Sequence, residues 1–256
     1  MQNNTFLGLF VGHKIVTLSE VDSTNNFLKQ SLSKSTPFSE GTVIMAESQT
    51  AGRGQMQNAW VSEPGKNLTF SILLMPRFLA IEKQFELNKA ISVALCDVLT
   101  KYFGTSARIK WPNDSYIGTQ KIAGMLIENM VQANQIKQAI IGIGLNVNQT
   151  NFPASLQNVT SFKKILHTDY DLHILLAEIC KAIEVRYLQL KAGKLAELHA
   201  DYVDKLYRVN EWHHFKIDDQ IQRGKIFGVS PEGYLHVETE NGFRQFGLKE
   251  IEFITI

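Results

Sequence analysis

The 256-residue sequence predicts an α+β protein, a mixed or antiparallel sheet flanked by helices with a small β-barrel at the carboxy-terminal end. Three observations predict it. Short apolar runs of strand length are interspersed with helical patterns as far as Val209. Apolar residues recur at three- and four-residue steps in two long stretches. After Trp212 the texture changes to short alternating segments divided by turn signals.

The strand-like runs cover residues 42–47, 67–74, 122–129 and 139–147. One helix is predicted over 81–103, with Phe85, Ile91, Ala94, Leu95, Val98 and Tyr102 on one face. A second runs over 172–190 on Leu172, Leu176, Ile179 and Ile183, and residues 194–207 continue it after a break at Gly193. Another helix begins near Asp22-Ser23-Thr24, short polar residues that resemble an N-cap before Phe27 and Leu28. Residues 1–209 are read as one domain and 210–256 as a second. In the second, Arg223-Gly224, Ser230-Pro231-Glu232-Gly233 and Asn241-Gly242 are turn signals, the last a hairpin cue between 236–240 and 243–246. Strands this short suggest an SH3-like barrel, too small to stand alone and expected to pack on its neighbour.

Composition narrows the function. With 44% hydrophobic and 20% charged residues and a net charge of +1, the chain is expected to be an ordinary soluble protein with no overall field for nucleic acid or membrane. Anionic ligands must then be held by local Lys and Arg. Cys96 and Cys180 are isolated thiols inside apolar helical patterns, read as core residues. The start of the chain lacks a signal-peptide pattern, and no apolar run approaches the ~20 residues that span a bilayer. A reducing, cytoplasmic setting follows as the expectation.

Polar and glycine-bearing segments concentrate in four places. Asp22-Ser23-Thr24-Asn25-Asn26 reads as a helix cap, as a row of hydrogen-bonding groups facing a polar ligand, or as both. In Glu47-Ser48-Gln49-Thr50-Ala51-Gly52-Arg53-Gly54-Gln55, glycines flank an arginine directly after a strand. That is either a flexible surface loop or a lid carrying a fork of donors for phosphate or carboxylate, running on to Trp60. Lys110-Trp111-Pro112-Asn113-Asp114, followed by Lys121-Ile122-Ala123-Gly124, reads as a solvated turn, except that Trp111 is large and apolar for such a place. In Gly142-Ile143-Gly144, glycines inside an apolar strand imply a close approach by backbone or ligand; the pattern is not a dinucleotide fingerprint.

Taken in order, DSTN, ESQTAGRG, a tryptophan, GKNLTFS, KWPND, KIAGMLIE and GIGLNVN resemble the biotin–protein ligase family, including its small carboxy-terminal barrel. The resemblance implies two half-reactions: biotin and ATP form biotinyl-5′-adenylate and pyrophosphate, then a lysine of a biotin carrier domain takes the biotinyl group and AMP leaves. It implies a biotin site of Ser23, Thr24, Asn25, Gln49, Gly52, Arg53, Lys121, Gly124 and Gly142, walled by strand residues of 122–127 and 140–145. It implies a nucleotide site of Arg53, Gly54, Gln55, Trp60, Asn113, Asp114, Lys121 and Asn146, with Arg53, Lys121 and Lys110 as the catalytic cations. Mg²⁺ would accompany ATP, held mostly by phosphates, and no His/Cys cluster marks a transition-metal site. The resemblance also allows a homodimer formed through sheet edges.

Two departures stand out. Gln55 replaces a position that is often arginine in the family and Gln57 one that is often glycine, so the adenylate is expected to escape faster than from an arginine-bearing lid. Only about twenty residues precede Asp22, too few for the winged-helix domain with which some relatives bind DNA, so no direct DNA binding is expected. The competing readings are a lipoate or octanoate ligase, which would need a longer, more apolar slot, and a non-catalytic biotin or nucleotide sensor.

Overall fold

A computed structural model describes residues 9–33, 38–55 and 58–254. Among these, two sheets organise the chain. The first contains β1 (Ile15–Val21), β2 (Val43–Gln49), β3 (Leu68–Leu74), β4 (Ala107–Lys110), β5 (Asp114–Ile117), β6 (Gln120–Gln132) and β7 (Gln135–Leu145), in the order β1-β2-β3-β7-β6-β5-β4. β1 runs parallel to β2 and every other pairing is antiparallel, so the sheet is mixed, as predicted. The helices are α1 (Thr24–Ser33), α2 (Gln84–Phe103), α3 (Phe162–Leu166), α4 (Leu172–Lys191) and α5 (Leu195–Asp204). The second sheet is antiparallel, with β8 (Trp212–Ile217), β9 (Gln220–Val229), β10 (Leu235–Thr239), β11 (Gly242–Phe246) and β12 (Ile251–Phe253) in the order β11-β10-β9-β8-β12.

Alternation along each strand divides the first sheet into two faces. Val43, Met45, Phe70, Ile72, Ile141 and Ile143 point into a large core shared with α2 and α4, whereas Ile44, Leu73 and Ile140 meet Leu28 of α1 on the opposite side. Because both faces are covered, β3 is buried along its whole length and reads as an unbroken apolar run. β1, an edge strand, is only half-buried, and its weaker pattern gave no strand signal. On its own face α1 covers the sheet only in part, and the rest of that face becomes the floor of a cavity.

The predicted helices exist with shifted edges and faces. Ile81–Lys83 is a 3₁₀ turn that leads into α2. α2 is buried through every residue from Ala90 to Cys96, because α4 and α5 pack around it as well. The one-sided face read from the sequence was therefore too narrow: Phe85 and Tyr102 are half-buried while Val93 and Leu99 lie in the core. Asp171 starts α4 by accepting hydrogen bonds from the His173 and Ile174 amides at 2.8 and 3.1 Å. After α5 ends at Asp204 the chain passes through turns rather than continuing as helix, with Leu206 bridging Ile109 and Val209 bridging Ile226 of the second sheet.

The second sheet contributes Phe215, Ile217, Ile226, Val229, Leu235, Val237, Phe246 and Ile251 to the same core cluster as α2 and α4. The two sheets are thus packed together, as so small a set of strands requires. Cys96 and Cys180 are both buried free thiols in this core, and burial pushes them up to about 11 and about 12. No helix among the described residues is long and apolar enough to cross a membrane.

Candidate active site

The α1 face of the first sheet opens into a cavity of about 610 Å³. Its walls include Ser23, Thr24, Asn25, Gln49, Arg53, Gly54, Gln55, Trp60, Lys110, Asn113, Asp114, Lys121, Gly124 and Gly142. Fourteen of the sixteen positions singled out in the sequence are therefore brought together; Gly52 and Asn146 are the exceptions.

At the α1 end the polar groups are buried and already paired. Ser23, Thr24 and Asn25 are 2–4% exposed. Gln49 Oε1 accepts from the Thr24 amide at 2.8 Å and from its hydroxyl at 3.2 Å. Ser71, in the middle of β3, places its hydroxyl 2.7 Å from Thr24 Oγ1 and 2.6 Å from Asn25 Oδ1. Asn25 Nδ2 donates at 2.9 Å to Glu128 on β6. Both the capping and the ligand-facing readings of this segment have a basis: the Ser23 carbonyl accepts the Phe27 amide at 2.9 Å, while the side chains after it line the cavity.

The glycines of β6 and β7 lie against side chains and also line the cavity. A Cβ on Gly142 would overlap the Asn25 amide, and one on Gly144 would fall within the Trp60 indole. One on Gly124 would press on Asp114 Oδ1 and Lys121 Nζ, both 3.3 Å away. Gly52 lies behind the lid, where its carbonyl accepts the Trp60 amide at 2.9 Å and where a Cβ would strike the Trp60 carbonyl. Asn146 is buried beside the site with Nδ2 donating 3.0 Å to the Thr160 carbonyl, and its Oδ1 has no partner among the described residues.

The lid folds back on itself. Arg53 bridges Ala59, the Gly54 amide donates 2.7 Å to the Asn58 carbonyl, and Asn58 N donates 3.0 Å to Gln55 O. Gln57, flagged in the sequence, lies outside the described residues. Arg53 Nη1 donates 2.7 Å to Asn26 Oδ1 and approaches both Glu128 oxygens at 3.2–3.3 Å.

At the hairpin end, Lys121 Nζ sits 2.7 Å from Asp114 Oδ1 across the β5–β6 pairing. Lys110 reaches the Tyr116 hydroxyl at 3.1 Å and lies over the rings of Tyr116 and Phe253, 5.0 and 5.1 Å from their centroids. Burial, which outweighs the attraction of Asp114, holds the Lys110 ammonium below the usual lysine range. Asn113 turns its amide inward to the Met125 carbonyl and so braces the 111–113 turn, which contains a cis Trp111–Pro112 bond. Trp111 is buried because it joins the two sheets: its Nε1 donates 2.9 Å to the carbonyl of Gly233. That answers the oddity of a tryptophan in this turn.

Sequence reasoning missed Asn58, Thr69 and the segment Leu248, Lys249, Ile251, Glu252 and Phe253, which walls the hairpin end, and Ser71, which holds Thr24 and Asn25 beside the cavity. Ser71 stands within the GKNLTFS segment, but its place beneath α1 left no local signal, and the segment from the second sheet left none.

Hydroxyl and amide groups beside a guanidinium at one end of a cavity and two lysines toward the other suit an enzyme that couples a ligand with a neutral head and a carboxylate to a phosphate. The family model described as the biotin/lipoate A/B protein ligase family matches residues 18–146, just over half of the chain, and the chain belongs to that family. It is 27% identical over 245 residues to the bifunctional ligase/repressor BirA of Bacillus spizizenii, covering 94% of this chain and 74% of that protein. It is 33% identical over 132 residues to the biotin–[acetyl-CoA-carboxylase] ligase of Paracoccus denitrificans, covering 51% of this chain and 53% of that one. Among solved structures, the biotin protein ligase from Aquifex aeolicus in complex with biotin and ATP superposes with a TM-score of 0.79 at 27% identity, covering 95% of this chain and all of that one.

Proposed function

We propose that this protein is a biotin–protein ligase that activates biotin with ATP and transfers the biotinyl group to a lysine of a carrier domain. The observation that carries the reading is the two-ended cavity, in which Ser23, Thr24, Asn25 and Gln49 stand with Arg53 at the α1 end and Lys121 and Lys110 lie toward the hairpin end. It is supported by the Aquifex structure, whose ligands are biotin and ATP.

A ureido ring offers two N–H donors and one carbonyl acceptor. The hydroxyls of Ser23 and Thr24 and the amides of Asn25 and Gln49 offer both kinds of partner to such a ring. The apolar chain of a lipoyl or octanoyl group offers none of these hydrogen bonds, which disfavours the lipoate and octanoate reading. The three cations together disfavour a sensor, which needs none of them for charge developing in a reaction.

In the first half-reaction a biotin carboxylate oxygen bonds to the α-phosphorus of ATP as the bond to pyrophosphate breaks. Two anions must approach each other, and Lys121 and Arg53 are placed to offset that repulsion and the charge that builds on the phosphoryl oxygens. Lys121 is held by Asp114, so its ammonium is fixed before ligand arrives. Mg²⁺ would enter with ATP as part of the substrate, bound mainly by its phosphates. In the second half-reaction the neutral amine of the acceptor lysine bonds to the acyl carbon, AMP leaves, and the amine proton passes to solvent. Asp114 is assigned to orienting that amine.

The acceptor is read as the biotin carrier domain of a carboxylase, in line with the name of the Paracoccus relative. Two buried thiols and no disulfide among the described residues are in keeping with a cytoplasmic location. The test is exchange of labelled pyrophosphate into ATP with biotin, lipoate or octanoate supplied. Exchange with biotin alone is expected; exchange with octanoate or lipoate instead would overturn the substrate.

A further inference from the structure

Glu128 closes the KIAGMLIE segment without an assigned role and is not in the cavity wall, yet its carboxylate joins three elements of the site. It follows Gly124 and Leu126 on the same face of β6, one step beyond the cavity's end. From α1 it receives the Asn25 amide at 2.9 Å and faces the Lys29 ammonium at 3.5 Å. From the lid it receives Arg53.

The way Arg53 is held matters. Among the described residues its hydrogen bonds all run through Nη1, to Asn26 and to Glu128. Nε and Nη2 form the other edge of the planar fork, and Arg53 itself lines the cavity. A guanidinium pinned by one nitrogen has lost much of its rotational freedom while keeping two parallel donors for an anion. With Arg53 41% exposed and Glu128 19%, the pair adds little to the stability of the fold, and its effect is on geometry.

Asn25 is held in the same way from the other side. Its Oδ1 meets the Ser71 hydroxyl and its Nδ2 meets Glu128, so one carboxylate fixes which way the amide points. The amide lies directly against the Gly142 backbone, where a Cβ would overlap it.

We propose that Glu128 is a positioning residue that holds the free edge of the Arg53 guanidinium toward the cavity for an anionic group and orients Asn25 for the head group, tying the lid and α1 to one carboxylate. This rests on the reading of the cavity as a biotin and ATP site. Glu128→Gln keeps one acceptor oxygen for Asn25 but turns an N–H toward the Arg53 donors, so it should loosen the lid arginine alone. Glu128→Ala should loosen both.

The test uses the full chain, following biotin-dependent pyrophosphate exchange and the rate of adenylate release in the wild type, Glu128→Gln, Glu128→Ala, Arg53→Ala and the Glu128→Gln/Arg53→Ala pair. Glu128→Gln is expected to raise the KM for ATP and the release rate about tenfold and to leave the KM for biotin within about twofold. Glu128→Ala should raise both KM values. In the Arg53→Ala background, adding Glu128→Gln should change the KM for ATP no further. A residue that merely supports the fold would move both KM values together in every variant and multiply its effect with Arg53→Ala; either result, or an unchanged KM for ATP in Glu128→Gln, overturns the proposal. A wild type with no biotin-dependent exchange would instead sink the substrate reading, and this inference with it.

Discussion

The α1 end of the cavity is a buried hydrogen-bond network with Arg53 at its edge, whereas the hairpin end is a pair of lysines drawn from separate parts of the chain. Thr24, Asn25, Gln49 and Ser71 satisfy one another within a few ångströms and are buried, Gln49 alone being half-buried. Arg53 comes from the lid, Lys110 and Lys121 from either side of a hairpin, and Phe253 from the other sheet. A neutral head group can be recognised by a site built in advance, since its shape does not change during reaction. Charge that develops on phosphate needs cations that are near one another only when the whole fold is in place. On the proposed reading the first end supplies specificity and the second supplies rate.

That contrast is tested most strongly by Lys121→Ala. It should lower kcat for pyrophosphate exchange by roughly 10²–10³-fold, or ~2.7–4 kcal/mol, with a small change in biotin affinity. A large loss of biotin binding with kcat intact would reverse the assignment of the two ends. Gly142→Ala attacks the opposite end: the new methyl displaces the Asn25 amide, and overpacking of about 1–3 kcal/mol should appear as a ten- to hundredfold higher KM for biotin, with the KM for ATP nearly unchanged.

Glu184 provides a control remote from both ends. Burial would raise its carboxyl, but amides of Leu9, Phe10 and Val11 donate to it at 2.6–2.9 Å and hold it below the ordinary value of 4.5. Its stabilisation is therefore present above that ordinary value and is lost as the pH falls through the lower folded one. Glu184→Gln should cost roughly 1–3 kcal/mol in urea unfolding at neutral pH and flatten the acid side of the stability profile, with both KM values unchanged.

Two smaller effects refine the hairpin end. Trp111→Phe keeps the ring but loses the bond to the Gly233 carbonyl, for about 1 kcal/mol of stability and a modest rise in the KM for ATP as the second sheet loosens. Gln55→Arg should slow adenylate release several-fold by adding a cation to the lid, as measured by chasing bound adenylate; an unchanged rate would show that the amide holds the ligand as well as a guanidinium does.

The α1 end was readable in the sequence because its groups are consecutive: Ser23, Thr24 and Asn25 stand in a row before an apolar helix, and Gln49 closes a strand. The glycines of β7 were readable as places of close approach, although what approaches Gly142 is Asn25 and what approaches Gly144 is Trp60. Ser71 was hidden because a hydroxyl within a buried strand looks like any small residue until α1 is laid across it. Trp111 was visible as an anomaly, but its explanation lies 122 residues away at Gly233, and such contacts leave no local pattern. The same distance hid Leu248–Phe253, an apolar and charged stretch with no periodicity that could announce a cavity wall. Periodicity also understated α2, whose single apolar stripe became an all-round core once α4 and α5 were packed on it.

The contribution of Phe253 to the roof over Lys110 has a consequence in time as well as in space. The strands and helix that form the head-group end are complete once Leu145 has been made, whereas the last wall of the cation end is translated about a hundred residues later. At ordinary elongation rates that is an interval of roughly 5–20 seconds. A nascent chain in that interval carries every residue of the α1 end but neither α4, which packs the opposite face of the sheet, nor the aromatic cover over Lys110.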